Sequence, residues 1–140
     1  MGFLRDHQQT LDLEHLTADL LDDVAQDANL ILVGEAHGIA TNEDLDFALF
    51  THVYETAAVR TYVAETGYSM GSFLDDYVQT GDKDLLSKLY RALEGTTAWN
   101  QARFSFWVRL HAWNQSLPET ERVRVVGCHR PDCLKADWPN

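Results

Sequence analysis

The chain has 140 residues, the size of one domain, and 45% of them are hydrophobic, which predicts a folded core rather than wholesale disorder. Its 22 acidic residues outnumber the 11 basic ones and give a formal net charge of −11, which argues against nucleic acid or an anionic membrane as the partner. No apolar run approaches the roughly 20 residues that span a bilayer, and the stretch MGFLRDHQQT lacks the apolar core of a secretory signal, so we expect a cytoplasmic protein.

The first predicted elements are a helix and a strand. In residues 11–27, apolar side chains recur at helical spacing and acidic ones occupy the opposite face, which predicts an amphipathic helix. The next run, NLILVG at residues 29–34, is too short and too apolar for a surface helix. It predicts a strand that is buried on both faces, as in a parallel sheet.

A second helix and a second strand follow. Thr41 or Asn42 can cap a helix whose first turn is acidic, an arrangement that the helix dipole favours. The stretch RTYVAETG, residues 60–67, is rich in β-forming side chains and predicts a strand that ends at Glu65. Strand, helix and strand in this order predict a right-handed βαβ unit with parallel strands.

Three more helices are predicted before the last strand. Residues 69–79 form a short helix that ends near Gly81, and Asp82 can cap the next one. The longest helix is predicted over residues 97–117, where Pro118 ends it. Its apolar stripe is typical of core packing and consists of Trp99, Ala102, Phe106, Leu110, Trp113 and Leu117.

The C-terminal part supplies a third strand, RVRVVGC at residues 122–128, and then a stretch without periodicity at residues 129–140, which we interpret as a coil tail. No linker or repeat interrupts the chain, so residues 1–140 are predicted to be a single domain. The predicted fold class is α/β, with a small parallel sheet of about three strands flanked by helices. So few strands leave long unpaired edges. We therefore expect either a homo-oligomer formed through a sheet edge or a partial version of a larger α/β fold.

Acidic and imidazole side chains stand at the carboxyl ends of the predicted strands, where open parallel sheets bind their ligands. They are Glu35, His37, Glu65 and His129. Gly34 and Gly38 flank the first pair and permit a sharp turn or the close approach of a ligand. A histidine beside carboxylates is suited to act as a general base that activates water. The same donors are also suited to a divalent metal, and both alternatives stay open.

Other side chains near the predicted site have weaker signals. Tyr68 can donate a hydrogen bond to a ligand, although packing is the favoured interpretation. Arg103 and Arg109 are candidate cations for an acidic pocket, and a solvated position is favoured for both. The stretch CHRPDC at residues 128–133 is interpreted as two reduced thiols, with a metal site as the alternative.

Four stretches resemble, in order, the N-terminal half of the erythromycin-esterase-like superfamily: ILVGEAHG, VAETGYS, YVQTGD and WNQSLPETERVRVVG. The broader relatives include haem-uptake lipoproteins, and the resemblance extends over about residues 28 to 128. It implies hydrolysis without an obligatory metal, in which His37 activates water while Glu35 and Glu65 orient or support it. The spacing Gly-Glu-x-His is one residue shorter than in the macrolide esterases, so a macrolide is not the predicted substrate. Where the family carries Asp after the third strand, this chain has His129.

These patterns predict a hydrolase of an ester-like or amide-like bond that acts on a small-molecule substrate. The predicted catalytic residues are His37, Glu35 and Glu65, and the predicted ligand-binding residues are His129, Tyr68, Gly34 and Gly38. No cofactor is expected, with a divalent metal as the alternative. Family members are longer than this chain, so the alternative function is a catalytically inactive, truncated relative that binds a small ligand or a protein chain.

Overall fold

The computed structural model describes residues 12, 13, 16, 22, 25–36, 39, 41–96 and 98–128. Within them, the helices are α1 (Asn42–Ala57), α2 (Tyr68–Thr80), α3 (Lys83–Ala92) and α4 (Gln101–Ser116), and the strands are β1 (Thr61–Ala64) and β2 (Arg124–Gly127), with a 3-10 turn at Glu119–Glu121. The α/β class is confirmed. None of the helices in these residues is long and apolar enough to cross a membrane. Most of the helix predicted over residues 11–27, and the tail at 129–140, lie outside the described residues.

Local capping signals fix the helix ends largely as predicted. Helix α2 ends where Gly81 adopts a left-handed conformation with φ of 73°, and the Asp82 carboxylate begins α3 by accepting hydrogen bonds from the Asp84 and Leu85 backbone N–H groups. Helix α4 starts later than predicted. Asn100 is extended, and its side-chain oxygen accepts a 2.7 Å bond from the Arg103 backbone N–H, so Asn100 caps a helix that begins at Gln101.

The sheet consists of β1 and β2, which pair in parallel, with Thr61 opposite Arg124. Alternate side chains of a strand face opposite sides of the sheet. On one side Ala64 and Val125 are buried, whereas on the other Val63 is 49% exposed and Val126 is 42% exposed. The described helices therefore cover only one face of the sheet.

Helix α2 lies unusually close to β2. A β-carbon added at Gly71 would be 2.1 Å from the Gly127 backbone nitrogen, and one added at Gly127 would be 2.4 Å from the Gly67 carbonyl oxygen. Real β-carbons do not approach other atoms so closely, so both positions require glycine. The contact fixes the start of α2 against the carboxyl end of β2.

The apolar core lies between α4, α2, α3 and the covered face of the sheet. As predicted, the middle of the α4 stripe is buried, with Phe106 and Leu110 at most 1% exposed. Aromatic rings then join α4 to α1 and β1 edge to face, with 4.9 Å between the ring centres of Tyr54 and Trp113. Trp99, at the predicted start of the stripe, precedes the helix and is 52% exposed.

The prediction of a buried strand at residues 29–34 was wrong. This segment has no regular secondary structure, and its apolar side chains are exposed, by 67% at Leu30 and 85% at Leu32. The described sheet therefore has two strands rather than three, and no βαβ unit forms around α1. The physical reason for the missing strand is that the described helices form a single layer, on one face of the sheet. A strand that is apolar on both faces needs cover on both sides, and the described helices provide it on one.

The outer edge of β2 is closed by side chains. The backbone N–H groups of Arg124 and Cys128 donate hydrogen bonds to the Arg60 and Ala64 carbonyls, on the β1 side. The alternate N–H groups, those of Val123 and Val125, therefore point to the opposite edge of β2. There the Asn114 side-chain oxygen accepts from Val123 and the Asp75 carboxylate accepts from Val125, each at 2.8 Å. An added strand would have to displace these bonds, so any pairing through a sheet edge is confined to β1.

Candidate functional site

The predicted site residues fall in different parts of the structure. Gly34 lies in the exposed segment, and a β-carbon there would meet nothing within 4 Å. Glu35, next to it, accepts a 3.1 Å hydrogen bond from the Arg103 guanidinium on α4. His37, Gly38 and His129 lie outside the described residues, so the predicted meeting of Glu35 with either imidazole stays a prediction.

Glu65 and Tyr68 are not part of the surroundings of Arg103. Glu65 occupies the bend after β1, is exposed and forms no ion pair with a described residue. Tyr68 is the first residue of α2 and is 72% exposed. It borders a separate cleft of about 160 Å³, whose other lining residues are Ser72, Asp75, Arg124, Val125, Val126 and Gly127.

Arg103 gathers three carboxylates around one guanidinium. Its Nη2 faces Glu35 at 3.1 Å, its Nε faces Glu43 at 3.4 Å, and its Nη1 faces Asp46 at 3.6 Å. We call Arg103, Glu35, Glu43 and Asp46 the Arg103 cluster. The side chains are 20%, 30%, 11% and 21% exposed respectively, so the cluster is partly withdrawn from water but still reachable from it. The prediction that Arg103 is a solvated arginine was therefore wrong.

Local sequence explains how these side chains come together. Glu43 and Asp46 lie three residues apart at the start of α1, so they project from the same face of the helix, where acidic residues favour the dipole. Arg103 is in the first turn of α4, which Asn100 caps. The segment that carries Glu35 is tied to α1 because the Asn42 side chain donates a 2.8 Å hydrogen bond to the Ala36 carbonyl.

The cluster places three carboxylates around a single guanidinium. Burial, together with the nearby charges of Glu35 and Glu43, raises the pKa of Asp46, although the Tyr62 hydroxyl and Arg103 act in the opposite direction. Burial alone would lower the pKa of Arg103, but the surrounding acidic groups raise it, so Arg103 stays charged.

Two tyrosines interact electrostatically with members of the cluster. The Tyr62 hydroxyl, on β1, donates a short hydrogen bond to Asp46, and burial followed by the Asp46 charge raises the pKa of Tyr62. Tyr90, on α3, is only 7% exposed. Burial is the main reason that its pKa is raised, and the charge of Arg103, the charge of Glu43 and a hydrogen bond with the Trp107 side chain act on it in decreasing order.

The cluster was missed in the sequence because its partners are distant. Glu35 and Arg103 are 68 residues apart, and the two α1 carboxylates were accounted for by helix capping. Of the predicted site residues that the structure describes, only Glu35 belongs to the cluster; Glu43, Asp46 and Tyr62 are additional. Only a prediction of how α1 packs against α4 could have identified these additional residues.

The arrangement offers a carboxylate whose pKa is raised, a cation held by three carboxylates and the Tyr62 hydroxyl. Such a set can bind a polar ligand, hold it by hydrogen bonds and move a proton at a carboxylate whose pKa is raised. Among the described residues, no group of three histidine, cysteine, aspartate or glutamate side chains has the geometry of a metal site. The donors that the sequence suggested for a metal include His37 and His129, which lie outside those residues.

Comparisons of this chain with protein-family models, with curated proteins and with solved structures find no match. The resemblance to the erythromycin-esterase-like superfamily therefore rests on the motif residues alone.

Proposed function

We propose that this protein hydrolyses an ester-like or amide-like bond at a site formed by the Arg103 cluster and His37, which follows Glu35 by two residues in the sequence. The observation that carries the proposal is the position of Glu35. This residue belongs to the Gly-Glu-x-His motif, and it contacts Arg103 within a half-buried cluster of acidic groups. Carboxylates with perturbed pKa values in partly buried surroundings are typical of catalytic sites, and the pKa of Asp46 is raised there by burial.

In the proposed reaction, His37 accepts a proton from water while the water oxygen attacks the carbonyl carbon of the substrate. The bond between that carbon and the leaving oxygen or nitrogen then breaks, and the leaving group takes the proton from the imidazolium. Arg103 holds Glu35 in a fixed position, and Glu35 stabilises the imidazolium that forms. Glu65 is proposed as a second supporting carboxylate. The role of His37 comes from the motif, and the supporting environment comes from the cluster.

The test is a hydrolysis screen with ester, lactone and amide substrates, with and without a chelator. Loss of a general base costs about 10²- to 10⁴-fold in rate, so His37→Ala should lose at least about 100-fold in kcat/KM. His7→Ala, outside the motif, is the matched control and should keep the activity. Glu35→Gln should lose less than His37→Ala, because it only supports the base. Activity that ignores His37→Ala would remove the mechanism, and sensitivity to the chelator would replace it with a metal-assisted one.

A second candidate function is supported by the exposed apolar segment. Leu30 and Leu32 are large side chains that are more than half exposed, and Val63 on β1 is 49% exposed. Exposed apolar side chains, and a strand edge that no other described strand pairs with, are typical of protein-binding surfaces. We propose, as the alternative, a non-catalytic module whose β1 edge pairs with another chain, a second copy of this protein being the simplest.

Light scattering over a range of protein concentrations tests this alternative. The wild type should form a dimer or a larger species, and Val63→Lys should shift it to the monomer because a charge on the edge opposes strand pairing. Val108→Lys is the matched control, since Val108 is an exposed valine on α4, and it should leave the assembly unchanged. A wild type that stays monomeric at all concentrations contradicts the edge-pairing function.

A further inference from the structure

The cleft that Tyr68 borders, which we call the Arg124 cleft, shares no residue with the Arg103 cluster. It has a volume of about 160 Å³ and includes the last three residues of β2, at the carboxyl end of the strand. Ligands of open parallel sheets bind at this end of the strands. A cavity of about 150 Å³ can hold one benzene ring, so the cleft is large enough for a ligand of about that size.

Arg124 supplies the charge that a ligand can reach. Of the two charged side chains that line the cleft, Arg124 is 69% exposed and Asp75 is 7% exposed. The Nε and Nη2 atoms of Arg124 donate hydrogen bonds to Asp75, whereas Nη1 donates none to the described part of the chain. A guanidinium is permanently charged and has five N–H donors. Some of these donors therefore remain available to a ligand.

The Asp75 carboxylate positions Arg124 and has little capacity left for a ligand. Its Oδ1 accepts hydrogen bonds from the Val125 backbone N–H, the Gln79 side chain and Arg124, and its Oδ2 accepts from Arg124. A carboxylate has about four acceptor sites, so these donors occupy most of them. The cleft therefore offers a ligand a cation in a fixed position rather than a free carboxylate.

The rest of the lining combines hydroxyl groups with apolar surface. Tyr68 and Ser72 contribute hydroxyls, which can donate hydrogen bonds. Val126 is 42% exposed and Tyr68 is 72% exposed, so the valine side chain and the tyrosine ring offer apolar surface. Because side chains alternate along a strand, Arg124 and Val126 project from the same face of β2. A cation and an apolar side chain are therefore neighbours on that face.

We propose that the Arg124 cleft binds a small monocarboxylate with a compact apolar body. The carboxylate accepts hydrogen bonds from the Arg124 guanidinium and the Ser72 hydroxyl, and the apolar body contacts Val126 and the Tyr68 ring. Arginine suits such a ligand because its planar fork matches the geometry of a carboxylate. The inference concerns a second site and does not rest on the proposed hydrolase function.

A ligand with one negative charge fits this cleft better than a ligand with two. The hydrogen bonds to Asp75 and the charge of Asp75 are the main causes that raise the pKa of Arg124, and the charge of Asp76 adds to them. Both carboxylates repel an anion in the cleft, as does the net charge of −11 on the whole chain. This repulsion increases with the charge of the ligand, so a phosphate dianion is disfavoured relative to a carboxylate.

The binding test uses benzoate, benzamide and inorganic phosphate as probes of the full chain. Backbone N–H signals are followed by NMR during each titration. Benzoate should bind at least tenfold more tightly than benzamide, which has a similar shape without the charge, because charge-assisted hydrogen bonds are the stronger ones. The largest shifts should occur at Ser72 and Gly127. Phosphate should bind more weakly than benzoate and should not displace it at equal concentration.

Arg124→Gln removes the cation and should weaken benzoate binding at least tenfold. Arg91→Gln removes an exposed arginine from the last turn of α3 and is the matched control, which should keep the affinity of the wild type. Because Arg124→Gln also leaves Asp75 without its ion-pair partner, thermal unfolding is measured beside each titration. If this variant does not fold, Arg124→Lys replaces it; it keeps the charge, loses the planar fork and should weaken benzoate severalfold.

Two exposed side chains test the site without disturbing the ion pair. Ser72→Ala should weaken benzoate at least threefold because a hydrogen-bond donor is lost, and Tyr68→Ala should do so because the ring contact is lost. Ser69→Ala, at an exposed position of the same helix outside the cleft lining, is the matched control and should change nothing. Thermal unfolding should be the same in all three variants as in the wild type.

Equal affinities for benzoate and benzamide would overturn the proposal. So would benzoate binding that Ser72→Ala and Tyr68→Ala both leave unchanged, shifts centred on the Arg103 cluster instead, or no benzoate binding at millimolar concentration. Phosphate that binds as tightly as benzoate would also overturn it, since the cleft would then select negative charge alone. None of these measurements depends on hydrolytic activity, so the carboxylate site and the hydrolase can fail separately.

Discussion

Two regions of the molecule contrast in how they are held. Where α2 meets β2, an added β-carbon at Gly71 would lie 2.1 Å from backbone, and the strand edge is closed by Asp75. In the segment that carries Glu35, a β-carbon at Gly34 would meet nothing within 4 Å, and Leu32 is 85% exposed. The first region is fixed by close packing, whereas the described contacts of the second are hydrogen bonds to α1 and α4. Glu35 therefore lies outside the closely packed part of the fold, although its partners in the cluster belong to core helices.

The contrast has a consequence for the site. Segments with few buried apolar contacts open at a lower free energy than the core does. Glu35 accepts a hydrogen bond from Arg103, and the Ala36 carbonyl accepts one from the Asn42 side chain. Both bonds link the segment to the first turns of α1 and α4, which are anchored in the core. We therefore expect residues 29–36 to open at a lower free energy than the core does.

The largest expected effect comes from a methyl group at the close contact. Gly71→Ala forces backbone atoms of β2 to move, which should cost about 3 kcal/mol of unfolding free energy or more. Gly34→Ala is the matched control, and it should change stability by no more than about 0.5 kcal/mol, because its surroundings are empty. Urea unfolding measures both. Similar losses in the two variants would remove the contrast between the regions.

The next effect concerns the closed edge of β2. Asp75 is buried, bonds to the Val125 N–H at 2.8 Å and pairs with Arg124. Asp75→Ala leaves a buried N–H without a partner and should cost about 2–3 kcal/mol. Asp76→Ala, at an exposed neighbouring position, should cost no more than about 0.5 kcal/mol. Asp75→Ala should also increase self-association, which light scattering would detect; full stability in this variant would mean that the bond contributes nothing.

The sequence predicted most of the helical part because its signals are local. Asp82 caps its own helix and Gly81 ends the preceding one, so neither depends on distant residues. The NLILVG strand failed for the opposite reason. Its apolar pattern is right for a buried strand, but burial requires a second layer of helices, which no local pattern reports.

Among the described residues of the cluster, the sequence predicted Glu35 as a catalytic residue and offered Arg103 as a candidate cation. Glu43 and Asp46 have a sufficient local explanation as the acidic start of a helix, and their partner Arg103 is on another helix. Whether they meet depends on how α1 packs against α4 through aromatic contacts such as that between Phe47 and Phe106. Convergence of charges is a property of tertiary packing, which spacing along the chain does not determine.

A smaller effect is expected from the titration of Asp46. Burial raises its folded pKa above the ordinary value of 3.8, so the folded state binds more protons than the unfolded state between these two values. Stability from this group is present below pH 3.8 and is lost as the pH rises through the folded pKa. The unfolding free energy of the wild type minus that of Asp46→Asn should therefore fall with pH in this window, as urea titrations at several pH values would measure.

Tyr62→Phe sharpens the titration experiment. The Tyr62 hydroxyl bonds to the Asp46 carboxylate and thereby lowers its pKa. Without it, the pKa of Asp46 should rise further, and the fall in stability should extend to a higher pH. The unfolding free energy of the wild type minus that of Asp46→Asn is expected to fall with pH. If this difference rose with pH instead, the surroundings would stabilise the Asp46 carboxylate rather than destabilise it.

The smallest expected effect tests the exposed segment directly. Leu32→Ser should change the unfolding free energy by no more than about 0.5 kcal/mol, because the leucine side chain is 85% exposed and loses few contacts. Val125→Ser, at a buried position of β2, should cost about 2 kcal/mol or more, since it removes apolar volume and buries a hydroxyl. A loss of the same size at Leu32 would mean that the segment is buried in solution, in a third strand or against another chain. Its apolar pattern would then indicate a buried segment, as the sequence analysis predicted.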